Sequence, residues 1–366
     1  MTRTAPEGGE MRAAADLAEE QAKAREGITS TLSAYPFFRS GAVAGFAGEG
    51  TQCLDIDCLL DPSVAPCLTQ HAPEGECITV ASLVLELLAE AALLHAEALT
   101  GQISVVTRLS NVEFLRPIRI DADSPRRILV RSRVTKRNSE TVLSVSATST
   151  LAAAGSRPRV VTHASAEVTV SLQQLPGETK AIASFGPQYC YRLSREQLYG
   201  QLPLTRGPLL QCLTGSLSFH EPSQALIGVG RAPPAGDRAL FSNGAGRFLT
   251  RPVLGDCAMQ LQALGARIAS SVPHVPVRID ELCLFAECVP SDHYTIALSP
   301  PARDQDLSRC DITVVGHSGA VVLKYSGATV RRWPRPPDLL PVLTLLYPYR
   351  VDACLYECWT NGVTMQ

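Results

Sequence analysis

Long apolar runs are missing from this chain. No stretch reaches the roughly 18 consecutive apolar residues of a membrane-spanning helix. The start, MTRTAPEGGEMRAAADLAEE, lacks the apolar centre of a secretory signal. A basic excess is missing too: 33 Lys and Arg stand against 35 Asp and Glu, a formal net charge of −2. That balance argues against nucleic acid and an anionic membrane as partners. There are 12 Cys, but none forms a C-x-x-C pair. Scattered thiols of this kind do not make a zinc framework, and without a signal they read as buried groups of a reducing cytosol. The expectations are a cytoplasmic protein, no metal and no cofactor.

What is present is enough for a substantial core. The 366 residues are 45% hydrophobic and 19% charged, so most of the chain is expected to fold, as one large domain or two ordinary ones. Residues 1–33 are rich in Ala, Glu and Lys and read as a tail. Between 34 and 172 the pattern is one helix followed by strands. Thr79 is placed to cap a helix whose stripe is Val80, Leu83, Val84, Leu87, Leu88, Ala91 and Leu94, at helical spacing. Glu86, Glu90 and Glu97 on the same helix read as a solvated face. The segments SVVTRLSNVEFLRPIRI, RRILVRSRVTKR, TVLSVSATSTL and VVTHASAEVTVSL read as strands, rich in Val, Thr and Ile and separated by turn residues.

After a connector at 173–190 the order recurs. Strands at 212–220 and 225–231 precede a helix over about 252–270, with Leu261, Leu264 and Ile268 on its apolar face, and further strands follow. NVEFLRPIRI after the first helix resembles DELCLFAECV after the second, which suggests an internal duplication. Strands gathered around single helices indicate an α+β fold. The expected units are 34–172 and 191–334, with a C-terminal extension at 335–366.

Five motifs carry a resemblance. Tyr35-Pro36-Phe37-Phe38 opens the first unit. Leu68-Thr69-Gln70-His71-Ala72-Pro73-Glu74-Gly75 resembles an L-x-D-H-x-x-x-G motif, and Glu86-Leu87-Leu88-Ala89-Glu90 resembles the helix after it. Gly207-Pro208-Leu209-Leu210-Gln211 resembles G-P-x-F-Q. Pro252-Val253-Leu254-Gly255-Asp256-Cys257-Ala258-Met259-Gln260 resembles P-x-L-x-D-x-x-x-Q. In their order and spacing these motifs resemble the dehydratase domain of polyketide synthases, and the related domains of polyunsaturated fatty acid and enediyne synthases, over residues 34–334. The chain departs at four places: Gln70 where an acid is usual, Val80 where Pro is usual, Arg206 where Tyr or His precedes Gly-Pro, and Leu210 where Phe is usual.

The resemblance implies a double hotdog, two antiparallel sheets each wrapped around a long central helix. It implies dehydration of a β-hydroxyacyl thioester held on the phosphopantetheine of an acyl carrier protein, by a hydro-lyase working with polyketide synthase components, and a homodimer. The Met1 start and the lack of a flanking ketosynthase or acyltransferase signature fit a free-standing enzyme acting in trans. His71, with an ordinary pKa of about 6.5, suits the base that takes the proton beside the thioester carbonyl. Asp256, in apolar surroundings, suits the acid that protonates the leaving hydroxyl. Gln260, one turn on, shares its face. Gly75 and the helix start after it could receive the thioester oxygen through backbone N–H groups. Gly207, Pro208 and Arg206 complete the expected substrate contacts. Two alternatives stand: a cyclase or isomerase on the same fold, and a non-catalytic carrier-binding scaffold. The exposed Arg126, Arg127, Arg131 and Arg133 offer a further place for an acidic carrier.

Overall fold

The structure is a computed structural model. It describes Ile28 and residues 32–39, 43–46, 51–151, 157–180, 189–192, 194–201, 204–220, 225–231, 236–242, 247–270, 273–286 and 293–333. The expected tail helix over 10–26 and the extension at 335–366 lie outside these residues.

The strands are β1 (Val43–Phe46), β2 (Cys53–Leu60), β3 (Val105–Phe114), β4 (Arg126–Arg137), β5 (Thr141–Leu151), β6 (Arg159–Ser171), β7 (Tyr189–Arg192), β8 (Leu213–His220), β9 (Ala225–Arg231), β10 (His274–Leu284), β11 (His293–Leu298), β12 (Ala302–Asp304), β13 (Leu307–Gly316) and β14 (Val321–Arg332). Two long helices accompany them, α1 (Ala81–Thr100) and α2 (Pro252–Ser270).

The strands form one sheet, not the two expected. Its order is β1-β2-β4-β5-β6-β3-β10-β14-β13-β11-β9-β8-β7, with β12 beside β13. The halves merge because β3 and β10, each the first strand after its helix, pair antiparallel, with Leu109 opposite Leu282 and Glu113 opposite Arg278. Outward from that seam the two halves repeat one plan. The last strand of each half (β6, β14) sits next to the seam, then β5 or β13, then β4 or β11, then β2 or β9. The duplication read from the sequence is therefore present as topology.

The strands follow the period of two. In β2, Leu54, Ile56, Cys58 and Leu60 point to the core while Asp55 and Asp57 alternate with them. Those aspartates pair across to β4, where Arg131 forks onto Asp55 at 2.7 Å and Arg127 meets Asp57. Two of the four arginines considered for a carrier contact are thus already paired with carboxylates, and a third, Arg126, donates to the Ser149 hydroxyl at 3.1 Å.

Helix α1 packs against β3 to β6 and is buried from Ser82 through Ala96. Its N-cap is Val80, in extended conformation with no side-chain cap bond, so Thr79 does not cap it. Instead the Thr79 N–H donates to the Ile118 carbonyl at 2.9 Å, and its hydroxyl is buried without a partner among the described residues. Gly101, in left-handed conformation at φ 64°, ends the helix.

The glutamates of α1 are not a solvated face. Glu86 and Glu90 are fully buried. Glu86 accepts the N–H groups of Leu249 and Thr250 at 2.7 Å each, and the Thr250 hydroxyl at 2.6 Å. Glu90 accepts the Phe37 N–H at 3.1 Å, and Glu97 accepts the Tyr35 hydroxyl at 2.7 Å. The first helix thereby holds the Tyr35-Pro36-Phe37 segment and the loop that launches α2. Pro252 opens α2 where its missing N–H does no harm, and Asp237 accepts the Val253 N–H at 2.9 Å from another segment. The two helix starts touch: a side chain at Gly255 would meet Ser82 at 3.4 Å and the Tyr325 hydroxyl at 3.0 Å. No helix among the described residues is long and apolar enough to cross a membrane.

Candidate active site

His71 follows a short 3-10 turn, Pro66–Thr69, in the loop leading to α1. Its carbonyl accepts the Ile78 N–H at 2.9 Å, which closes the loop around a second turn, Pro73–Gly75. Its backbone pairs with that of Arg206 as an isolated bridge. The crossing is tight. The Gly207 N–H donates to the Gln70 carbonyl at 2.6 Å, the Leu209 N–H donates to Gln70 Oε1 at 3.2 Å, and a Cβ on Gly207 would fall 2.2 Å from Gln70 Oε1. A side chain at 207 would have to push the Gln70 amide out of this position. Gln70, a departure from the motif, is the tie between the two halves here.

His71 uses one side of its ring. Nδ1 lies 2.8 Å from the Thr205 carbonyl and 3.1 Å from the Thr205 hydroxyl, and the Arg206 guanidinium also abuts it. A carbonyl only accepts and calls for a proton on Nδ1, whereas the Arg206 guanidinium only donates and calls for a lone pair there; the tautomer that keeps the Thr205 bond is the one that leaves a lone pair on Nε2. Burial, and after it the Arg206 charge, pull the imidazole from 6.5 down to about 4. At neutral pH it is therefore uncharged and able to take a proton. His95 and His163 differ: each has both nitrogens engaged, His95 with Ser132 and the Thr51 carbonyl, His163 with Ser149 and the Arg116 carbonyl. They are packing residues.

Asp256 lies on the second turn of α2, with its side chain 1% exposed. Arg206 forks onto it, Nε to Oδ2 at 3.0 Å and Nη2 to Oδ1 at 3.1 Å. Gln260, one turn on, donates from Nε2 to Asp256 Oδ2 at 2.6 Å and to the Leu210 carbonyl at 2.7 Å. Gln260 Oε1 accepts the Tyr199 hydroxyl at 2.9 Å, and that hydroxyl accepts the Leu213 N–H at 2.8 Å. Tyr199 was not singled out by the sequence. It sits in a π-helical turn, Gln197–Gln201, and no local pattern marks it. Burial holds its phenol well above the ordinary value, so it stays protonated.

His71, Asp256, Gln260 and Arg206 thus come together, with the guanidinium touching both His71 and Asp256. Gly75 is exposed at φ 84°, and its N–H donates to the Ala72 carbonyl at 3.3 Å, inside its own turn. That N–H is therefore occupied, which counts against the oxyanion role expected of it. Pro208 is exposed and opens the turn Pro208–Leu210. A cavity lined by Pro36, Phe37, Leu68 and Phe241 lies under the N-terminal segment, and none of the four clustered side chains lines it.

Residues 204–339, in the second half, match the family described as the polyketide synthase dehydratase N-terminal domain. The dehydratase domain from the CurF module of curacin polyketide synthase superposes with a TM-score of 0.60 at 14% identity, covering 80% of this chain and 98% of that one. The chain has the fold of a polyketide synthase dehydratase domain. The CurK-module dehydratase domain gives a TM-score of 0.57 at 15% identity over 77% of this chain and 92% of that one. An isomerase-inactive variant of GphF DH1 gives 0.57 at 16% identity over 79% and 95%. No curated protein matches the chain. The polyketide synthase dehydratase resemblance drawn from the motifs holds, and with it a hotdog-like fold.

Proposed function

We propose that this protein dehydrates a β-hydroxyacyl thioester presented by an acyl carrier protein of a polyketide synthase. The observation that carries this reading is the meeting of a neutral histidine and a buried aspartate from opposite halves of a duplicated fold. His71 Nε2 takes the proton from the carbon beside the thioester carbonyl. The electron pair forms the new double bond, the bond from the β-carbon to its hydroxyl breaks, and the departing oxygen takes a proton from Asp256, leaving water and an enoyl thioester. Gln260, held by Tyr199, orients the aspartate.

The family match and the shared fold support the reaction class. The start of α1, with the buried hydroxyls of Thr79 and Ser82 still unpartnered among the described residues, supports a place for the thioester oxygen. The test offers purified protein several β-hydroxyacyl carrier thioesters and follows loss of one water by mass spectrometry. Loss in the wild type that disappears in His71→Ala is expected; equal loss in both would end the proposal.

One observation favours a second reading. Arg206 pairs with Asp256, and among the described residues every hydrogen bond to that carboxylate comes from an N–H donor. An acceptor so engaged has no proton to give. In that state His71 alone could move a proton along an enoyl chain, shifting its double bond with no change of mass. A product of unchanged mass and altered chromatographic retention would establish it.

A further inference from the structure

The guanidinium between His71 and Asp256 has to be reckoned with by any substrate. Arg206 is 13% exposed at its side chain and Asp256 1%, so the pair is largely out of water. Breaking such a pair without replacing it leaves an uncompensated buried charge, which is strongly unfavourable. Yet the acid role of Asp256 requires the fork to leave it. The two conditions are met together only if the arriving chain supplies another oxygen acceptor to the guanidinium.

We propose that Arg206 is a specificity-determining residue that selects β-hydroxyacyl chains carrying a further keto or carboxylate oxygen, because such an oxygen takes the guanidinium off Asp256. The inference rests on the dehydration reading above. The planar fork matches the two lone pairs of a carbonyl or carboxylate oxygen. A plain alkyl chain offers only its thioester carbonyl and β-hydroxyl, both of which the reaction itself engages, so Asp256 stays locked. This is discrimination by an unpaired polar group in the site, the kind that rejects a substrate lacking the matching atom far more sharply than a methylene fit does. The occupant that the resemblance leads one to expect at this position, Tyr or His, carries no such fork.

The charges around the lock are few. His71 is faced by Arg206 and Asp256. Asp256 is faced by Arg206, by Cys257 on its own helix and, from neighbouring elements, by Tyr199 and Tyr325, these last three held protonated chiefly by burial. Arg206 is thus the fixed positive charge at the pair.

The experiment compares two pantetheine thioesters of equal length, β-hydroxyhexanoyl and β-hydroxy-δ-ketohexanoyl, with the full chain, Arg206→Gln, Arg206→Lys and His71→Ala. The wild type is expected to favour the keto chain in kcat/KM by at least about tenfold. Arg206→Gln is expected to bring that ratio to about one, mainly by gaining the alkyl chain, and Arg206→Lys, with charge but no fork, to fall between. Arg206→Gln should also move the acid limb of the rate profile upward, because one of the two causes depressing His71 is gone; a folding defect would not do this. Equal kcat/KM for both chains in the wild type, or an unchanged preference in Arg206→Gln, overturns the proposal. If Arg206→Gln does not fold, Arg206→Lys decides by the same ratio. Turnover of both chains by His71→Ala, or of neither by any form, sinks the dehydration reading itself.

Discussion

Glu86 and Asp256 are both buried carboxylates near the starts of long helices, and they are held in opposite ways. Glu86 is met only by neutral donors, two N–H groups and a hydroxyl of the loop before α2. Burial raises it from 4.5 to about 7 against the pull of those bonds. Asp256 is met by a guanidinium that also touches a histidine. The first carboxylate fastens one half of the molecule to the other. The second is tied to groups that can exchange protons or partners. What separates a structural acid from a reactive one here is not burial, which is nearly equal, but whether a cationic partner is bonded to it.

Several changes would break or sharpen that contrast. The largest effect is expected at the reactive end: His71→Ala or Asp256→Asn should lower turnover about 10²–10⁴-fold, the usual worth of a positioned acid or base, while thermal unfolding shows both variants still folded. At the structural end, Glu86→Ala orphans the Leu249 and Thr250 N–H groups. A loss of about 3 kcal/mol is expected, seen as a lower Tm, together with weaker activity as α2 loosens. Full stability in that variant would mean the carboxylate is not the tie described here. Tyr199→Phe removes the hydroxyl between Gln260 and Leu213. About 1 kcal/mol is expected from the lost bond, read as a modest fall in kcat with KM little changed.

The contrast also has a pH dependence. The unfolded His71 titrates near its ordinary value of about 6.5, the folded one at about 4. Between those values the unfolded chain binds more protons, so stability rises with pH across that window. His71→Gln should flatten the rise in chemical denaturation curves. The acid limb of the wild-type rate profile should likewise lie near 4, not 6.5; a limb at 6.5 would show that His71 is neither buried nor beside Arg206 in the working enzyme.

Much of the fold was legible. The stripe from Val80 to Leu94 gave α1, Pro252 and the spacing after it gave α2, and strands at 105–171 and 213–231 follow their alternation. β2 carries an equally plain alternation, CLDIDCLL, just before the motif-bearing loop. The glutamates of α1 misled for a physical reason. Their near-helical spacing reads as a polar stripe, but a helix packed on nearly every side has no solvated face, and its acids must find donors instead. The helix cap misled as well: Thr79 is of the right type, but its N–H is committed to Ile118.

The sequence by itself determined the local periods, the order of the repeated elements, and which residues had the chemistry to move protons. Tertiary structure decided three things that no local window contains. The halves share one sheet because β3 and β10 pair edge to edge. Gln70, an apparent departure, holds the crossing at Gly207. And Arg206, adjacent in sequence only to Thr205 and Gly207, reaches His71 and Asp256 at once. Contacts between residues far apart in sequence depend on the summed geometry of every intervening turn and pairing, so the residue types of a site can be written locally while its connections cannot.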